Sequence, residues 1–95
     1  MYLHLGQETI VNTQDVLGIL DIDATSISKH TRDFLNQAEK NGKVINVSQE
    51  LPKSYIVTGT GPATKVYISQ ISPTTLVKRS GYLEDMKIEK KKEWF

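Results

Sequence analysis

Few side chains in this 95-residue chain could do acid–base, nucleophilic or metal chemistry. The chain has no cysteine, and its two histidines, His4 and His30, have no partner at ligand spacing such as His-x-x-x-His. Asp15, Asp21 and Asp23 could form a carboxylate cluster, but such residues serve equally well in turns and helix caps. No Gly-x-Ser-x-Gly elbow places a hydroxyl beside a base. We therefore expect no catalytic residue, no metal, no cofactor and no small-molecule substrate, and the protein is predicted not to be an enzyme.

A glycine-rich stretch at residues 59–65, Gly-Thr-Gly-Pro-Ala-Thr-Lys, is similar to a phosphate-binding loop in composition. A P-loop ends in Gly-Lys-Ser/Thr and leads directly into a helix, whose N-terminus faces the phosphate. Here Thr64 and Lys65 lead instead into a β-branched and aromatic run. The stretch is therefore predicted to be the turn of a β-hairpin.

Basic residues are concentrated in the middle of the chain. The net charge is +1, but residues 1–39 hold six acids and two bases, whereas residues 40–83 hold one acid and six bases. This asymmetry indicates a face for an anionic partner, although it can also complement a neighbouring subunit. Lysines and hydroxyls on strand ends and loops suit phosphate positioning, whereas cations in the last turn of a helix also stabilise its dipole. The candidate contacts are Lys53 and Lys65 as the central pair, with Ser54, Lys43, Lys78 and Arg79.

The elements that would position these cations follow from the apolar periodicity. Two short strands, Tyr2–Leu5 and Thr9–Asn12, flank a turn. The apolar run Asp15–Asp23 is typical of a central strand covered on both faces, with Gly18 at a bulge or a close backbone approach. The period then becomes helical.

The helical period predicts a helix from Thr25 to Asn41. Its N-cap would be Asp23, Thr25 or Ser26, and Gly42 would end it. A short strand, Val44–Val47, follows.

A hairpin and a second helix complete the predicted fold. The hairpin strands are Ser54–Thr58 and Thr64–Ser69. Ser72 offers an N-cap hydroxyl before Pro73, which suits the first helical position. The predicted class is α+β, with a small, mainly antiparallel sheet, one long helix after the third strand and a second helix after the hairpin.

The length allows one hydrophobic core. We expect a single domain over residues 1–82, in which Gly81 ends or kinks the second helix, and a charged tail over residues 83–95. The N-terminus lacks a basic region followed by a long apolar run, and no window approaches the ~20 apolar residues of a membrane span. We expect a soluble, cytoplasmic protein with no membrane partner.

Five blocks of the sequence occur in an order that resembles a known family. They are Met1–Gly6, Asp15–Asp21, Leu51–Thr58, Tyr67–Ser69 and Ile71–Arg79. Together they make the chain, over about residues 1–80, similar to the RemA/RemB family of bacterial extracellular-matrix regulators, and above all to its RemB branch.

The resemblance implies a DNA-binding protein that assembles into a ring-like homo-oligomer and helps to activate biofilm-matrix genes in Gram-positive bacteria. It also implies a sheet packed with helices rather than a helix-turn-helix. In the RemA branch, arginines tied to DNA binding stand just before the first hairpin strand; here Leu51-Pro52-Lys53-Ser54 occupies that place, so only Lys53 carries the charge. The expected partners are double-stranded DNA, contacted mainly through phosphates, and further copies of the chain. The alternative is an oligomeric scaffold or protein-interaction subunit of the same fold with little DNA affinity.

Overall fold

The structure is a computed structural model that describes residues 1–23, 28–59 and 61–80. Within these residues the strands are β1 (Tyr2–Gly6), β2 (Thr9–Asn12), β3 (Val16–Asp21), β4 (Val44–Asn46), β5 (Ser54–Thr58) and β6 (Lys65–Ser69). The helices are α1 (Lys29–Lys40) and α2 (Pro73–Ser80). The predicted α+β class, with a long helix after the third strand and a second helix after the hairpin, is confirmed.

The central layer is a four-stranded sheet in the order β3-β5-β6-β4. The two neighbouring pairs that include β5 are antiparallel, and β4 runs parallel to β6. The prediction that Asp15–Asp23 forms a central strand is wrong, because β3 lies at one edge of this sheet. Its apolar residues are not all covered: Ile19 is buried in the core, whereas Leu17 is exposed. The predicted bulge is confirmed by a register shift between Val16 and Gly18.

The helix α1 covers one face of this sheet. Ala38 packs with Val57 and Val66, and Phe34 and Leu35 are half-buried against them. Phe34, Leu35 and Ala38 follow the helical period from which this helix was predicted. The burial of one stripe holds α1 against the sheet.

The opposite face is covered by α2 and by the two-stranded hairpin β1–β2. Leu3 and Leu5 of the hairpin join Ile56 of the sheet and Leu76 of α2 in a fully buried cluster. The Ser69 hydroxyl donates to the carbonyl of Leu5 over 2.6 Å, which links hairpin and sheet. The domain therefore has three layers, with the sheet in the middle.

The first helix begins later than predicted. Ser28 has an extended backbone, and its hydroxyl accepts from the N–H of Thr31 over 3.1 Å, so Ser28 is the N-cap and Lys29 is the first helical residue. Thr25 and Ser26 lie outside the described residues, and the third candidate cap, Asp23, stands in the turn after β3. The helix is therefore shorter than the predicted Thr25–Asn41.

The second helix begins as predicted. The Ser72 hydroxyl accepts from the N–H of Thr75 over 3.3 Å, and Pro73 takes the first helical position. The prediction for Gly81 and the tail at residues 83–95 lie outside the described residues.

Candidate nucleic-acid interface

Lys43 and Lys65 lie side by side at one end of the central sheet. Lys65 begins β6, and Lys43 immediately precedes β4, which pairs with β6 in parallel, with Val44 opposite Val66. The N–H of Val66 donates to the carbonyl of Lys43 over 2.9 Å. Because neighbouring strands lie about 4.8 Å apart, the two lysines are adjacent, and strand alternation directs both to the face opposite α1.

The loop after β5 holds one of these cations in place. Lys43 Nζ donates to the carbonyl of Pro62 over 2.9 Å, whereas Lys65 is exposed. Gly59 leaves β5 with a φ of +81°, and the chain then enters β6 rather than a helix. The interpretation of residues 59–65 as a hairpin turn, with residue 60 outside the described part, is confirmed. We call Lys43 and Lys65 the paired lysines.

Lys53 lies at the opposite end of the sheet. It precedes β5, whose first residue, Ser54, is opposite Ser69, whereas Lys65 is opposite Thr58. Five strand positions at about 3.4 Å each separate Lys53 from Lys65 by roughly 17 Å. The two central residues of the sequence prediction therefore begin antiparallel strands and do not come together in one subunit.

The surroundings of Lys53 are also less positive than the sequence indicated. Its carbonyl accepts from the N–H of Ile22 over 3.0 Å, so the chain beside it carries the carboxylates of Asp21 and Asp23. Nearby carboxylates lower the positive potential that a phosphate would meet.

Ser54 is part of the core rather than of the surface. Its side chain is fully buried, and its hydroxyl donates to the carbonyl of Ile71 over 2.8 Å. The expectation that Ser54 contacts a phosphate is corrected on this ground: the hydroxyl joins β5 to the segment that leads into α2.

Lys78 and Arg79 form the basic last turn of α2, and both are exposed. Neither makes an ion pair with an acid of the described residues, and the same holds for the paired lysines and for Lys53. From residue 51 to residue 80 the chain contains no Asp or Glu. Within the described residues, no acidic side chain therefore neutralises the cations of this part.

One cation near the paired lysines, Lys40, was not among the contacts predicted from the sequence. Lys40 ends α1, is exposed, and lies three residues before Lys43 across a tight turn in which the N–H of Lys43 donates to the carbonyl of Ala38. A basic residue in the last turn of a helix was the available signal. The parallel pairing that brings Lys43 to Lys65 had no local signal, because it joins segments more than twenty residues apart.

The remaining chemistry-bearing residues do not assemble into a reactive site. Asp15 and Asp21 lie at opposite ends of β3, and an Asp21 carboxylate oxygen accepts from the N–H of Asp23 over 2.9 Å, as expected of a turn residue. His4 is exposed and its Nε2 lies 2.6 Å from the carbonyl oxygen of Gln7, whereas His30 is exposed on α1. No cluster of three His, Cys, Asp or Glu side chains that could hold a metal occurs among the described residues.

The fold and this surface define a small α+β protein whose candidate site is a set of surface cations. The chain belongs to the RemA-like family, described as extracellular matrix regulatory protein A-like, which it matches over residues 2–79. It is 35% identical over 83 residues to the extracellular matrix regulatory protein B of Bacillus subtilis (strain 168), with 87% of this chain and 94% of that protein covered. The resemblance inferred from the sequence is thereby confirmed. Among the described residues, no helix has the length and apolar character required to cross a membrane.

Proposed function

We propose that this protein is a non-enzymatic, cytoplasmic DNA-binding regulator of extracellular-matrix genes that acts as a ring-like homo-oligomer and contacts duplex DNA mainly through phosphates. Membership of a family named for the regulation of extracellular matrix supports the regulatory role. The observation that carries the DNA-binding part is the adjacency of the paired lysines on one face of the sheet.

Adjacent lysines suit phosphates because each is a compact point charge that can neutralise one phosphate and release its counterions. The paired lysines lie at one end of the sheet, and Lys43 is oriented by its hydrogen bond to Pro62. Lysines at phosphates fix the position of a protein on DNA but read no bases. The whole chain has only two arginines that could recognise guanine through two hydrogen bonds. Binding should therefore depend little on the DNA sequence.

One subunit offers too few cations for tight binding at physiological salt. Several copies on one duplex convert the later contacts into intramolecular ones, which raises the overall affinity without any new contact. Lys53, Lys78 and Arg79 would then contribute as secondary contacts, each repeated in every subunit. The proposal therefore requires assembly for useful affinity.

Charge reversal of the paired lysines tests this function. We expect the double variant Lys43→Glu/Lys65→Glu to lose at least about tenfold in affinity for duplex DNA at low salt, because two attractions become repulsions in each subunit. Fluorescence anisotropy with a labelled duplex measures the affinity, and light scattering should show an unchanged oligomer mass. Lys53→Glu should also weaken binding, since it removes a secondary contact.

Lys29→Glu is the matched control, because Lys29 is an exposed lysine at the far end of α1 that pairs with Asp33 over 3.0 Å. We expect little change in DNA affinity from it. Wild-type oligomer that shifts no duplex at low salt would reject DNA binding by this protein alone and favour the scaffold alternative. An equal loss in the Lys29 variant would show that only net charge matters.

A further inference from the structure

The turn between α1 and β4 joins an asparagine to a glycine. Asn41 directly follows α1, Gly42 comes next, and both residues are exposed. Gly42 has a φ of +70°, and no atom lies within 4 Å of the position that a Cβ would take. No other Asn-Gly pair occurs in the chain, because the remaining asparagines precede Thr, Gln or Val. Residue 42 therefore has no side chain of its own that would hinder a reaction at its main-chain nitrogen.

An asparagine side chain in this setting can lose ammonia without an enzyme. The Gly42 nitrogen loses its proton to water and attacks Cγ of Asn41, which forms an N–Cγ bond and closes a succinimide ring. The Cγ–Nδ2 bond breaks, and the nitrogen takes up a proton from water and leaves as ammonia. A second water molecule then adds to either ring carbonyl and breaks its bond to the ring nitrogen, which gives an aspartate or an isoaspartate. The sequence consumes no oxidant or reductant, and its product carries a negative charge that Asn41 lacks.

The last turn of α1 controls how often this attack can occur. The N–H of Asn41 donates to the carbonyl of Gln37 over 3.0 Å, and the N–H of Gly42 donates to the carbonyl of Glu39 over 3.1 Å. The second of these hydrogen bonds must open before the Gly42 nitrogen can react. Helix ends fray, so hydrogen bonds of a last turn open more readily than those inside a helix. The folded chain should therefore react more slowly than a free peptide of the same sequence, but should still react.

The new charge would lie beside the paired lysines. Asn41 is adjacent to Lys40 and two residues before Lys43. Two peptide units separate Cα atoms by at most about 7 Å. This distance is shorter than the Debye length of about 8 Å at physiological ionic strength, so salt does not screen the interaction completely. A carboxylate at position 41 therefore lowers the positive potential that a phosphate meets at Lys43.

We propose that Asn41 is a site of spontaneous deamidation, and that the carboxylate formed there weakens the binding of DNA at the paired lysines. The modification is independent of the proposed function, whereas its consequence for DNA rests on that function. Because water does not restore the amide, the affinity of the protein for DNA should fall as the protein ages.

Peptide mass spectrometry of the aged, folded protein tests the modification. At residue 41 we expect NH₂ to be replaced by OH before any other asparagine changes, and faster at mildly alkaline than at neutral pH, because the Gly42 nitrogen must lose its proton. Asn41→Gln is the matched control, since its longer side chain would have to close a larger ring, and residue 41 should then stay unmodified. An intact Asn41 after the time in which a synthetic peptide of residues 38–45 is fully deamidated would overturn the proposed site, as would earlier deamidation at another asparagine.

The consequence for DNA is tested with Asn41→Asp, which supplies the same charge at once. We expect it to lower the affinity for a labelled duplex at low salt by about threefold, because the added carboxylate opposes the attraction of Lys43 for a phosphate. Asn36→Asp is the matched control: Asn36 is exposed on α1, farther from the paired lysines, so its substitution should change the affinity less. Fluorescence anisotropy measures the affinities, and circular dichroism verifies folding.

The possible results separate this inference from the proposed function. Equal affinities for Asn41→Asp and wild type, or an equal loss for Asn36→Asp, would overturn the effect of the modification on DNA binding. Wild-type protein that binds no DNA would reject the proposed function and this effect together. The mass spectra decide independently whether Asn41 is modified.

Discussion

Gly59 shows how one residue shapes the end of the sheet that carries the paired lysines. Its φ is +81°, and a Cβ at this position would lie 2.3 Å from the carbonyl oxygen of Ala63. We expect Gly59→Ala to lower the free energy of unfolding by about 2 kcal/mol or more, because backbone strain is added to a clash with main-chain atoms. Urea denaturation measures the change. Gly42→Ala is the matched control: its φ is +70°, but no atom lies within 4 Å of the added methyl, so only the strain of about 1 kcal/mol applies.

The first helix depends on its cap because no acidic side chain in its first turn assists the helix dipole. Removal of the Ser28 hydroxyl removes the hydrogen bond that it accepts from the N–H of Thr31. We therefore expect Ser28→Ala to lower the free energy of unfolding by about 1 kcal/mol. Ser28→Asp keeps an acceptor and adds a favourable charge, so its chemical denaturation midpoint should remain at or above that of the wild type. An unchanged midpoint for Ser28→Ala would contradict the assignment of this cap.

Local sequence patterns were sufficient to predict most helices and strands, but not to predict how these elements are arranged in space. The hairpin β5–β6 and the start of α2 follow from turn residues and a Ser-Pro cap, which act within a few positions of the chain. The edge position of β3 and the parallel pairing of β4 with β6 depend on contacts between distant segments. The same holds for the candidate site. Lys53 and Lys65 lie at the starts of consecutive strands, but the antiparallel pairing of these strands separates them. Lys43 lies beside Lys65 because β4 pairs with β6, and no local pattern in the sequence predicts that pairing.

Ser54 and Ile10 show that local sequence patterns also do not predict which side chains are exposed. A serine beside a lysine at a strand start suggested a phosphate contact, but the fold buries it beneath the segment that enters α2. Ile10 lies in an apolar strand, yet its side chain points away from the core because register directs Val11 inward. Which of two successive strand residues faces the core depends on the segments that pack on each face of the strand. Those segments lie elsewhere in the chain.

For the whole molecule, the salt dependence of DNA binding should report how many subunits act together. The logarithm of the binding constant falls with the logarithm of salt concentration by about 0.9 for each phosphate neutralised. Lys65→Ala should therefore reduce the slope by about 0.9 for every subunit engaged, which in an oligomer exceeds the change expected of a monomer. Anisotropy titrations across a series of salt concentrations give the slopes, with Lys29→Ala as the control. A reduction of only about one would indicate that a single subunit contacts the DNA.

The bond from the Ser69 hydroxyl to the carbonyl of Leu5 has a consequence for the order of folding. The hairpin β1–β2 leaves the ribosome before the side chains that cover its inner face, including Leu76, have been synthesised. An isolated two-stranded hairpin is marginally stable in water, so β1 and β2 must wait for nearly the whole domain before they can dock. A nascent chain that stops before Ser69 therefore has no completed core on that face, and the hairpin should remain sensitive to proteases until the segments that cover it have been synthesised.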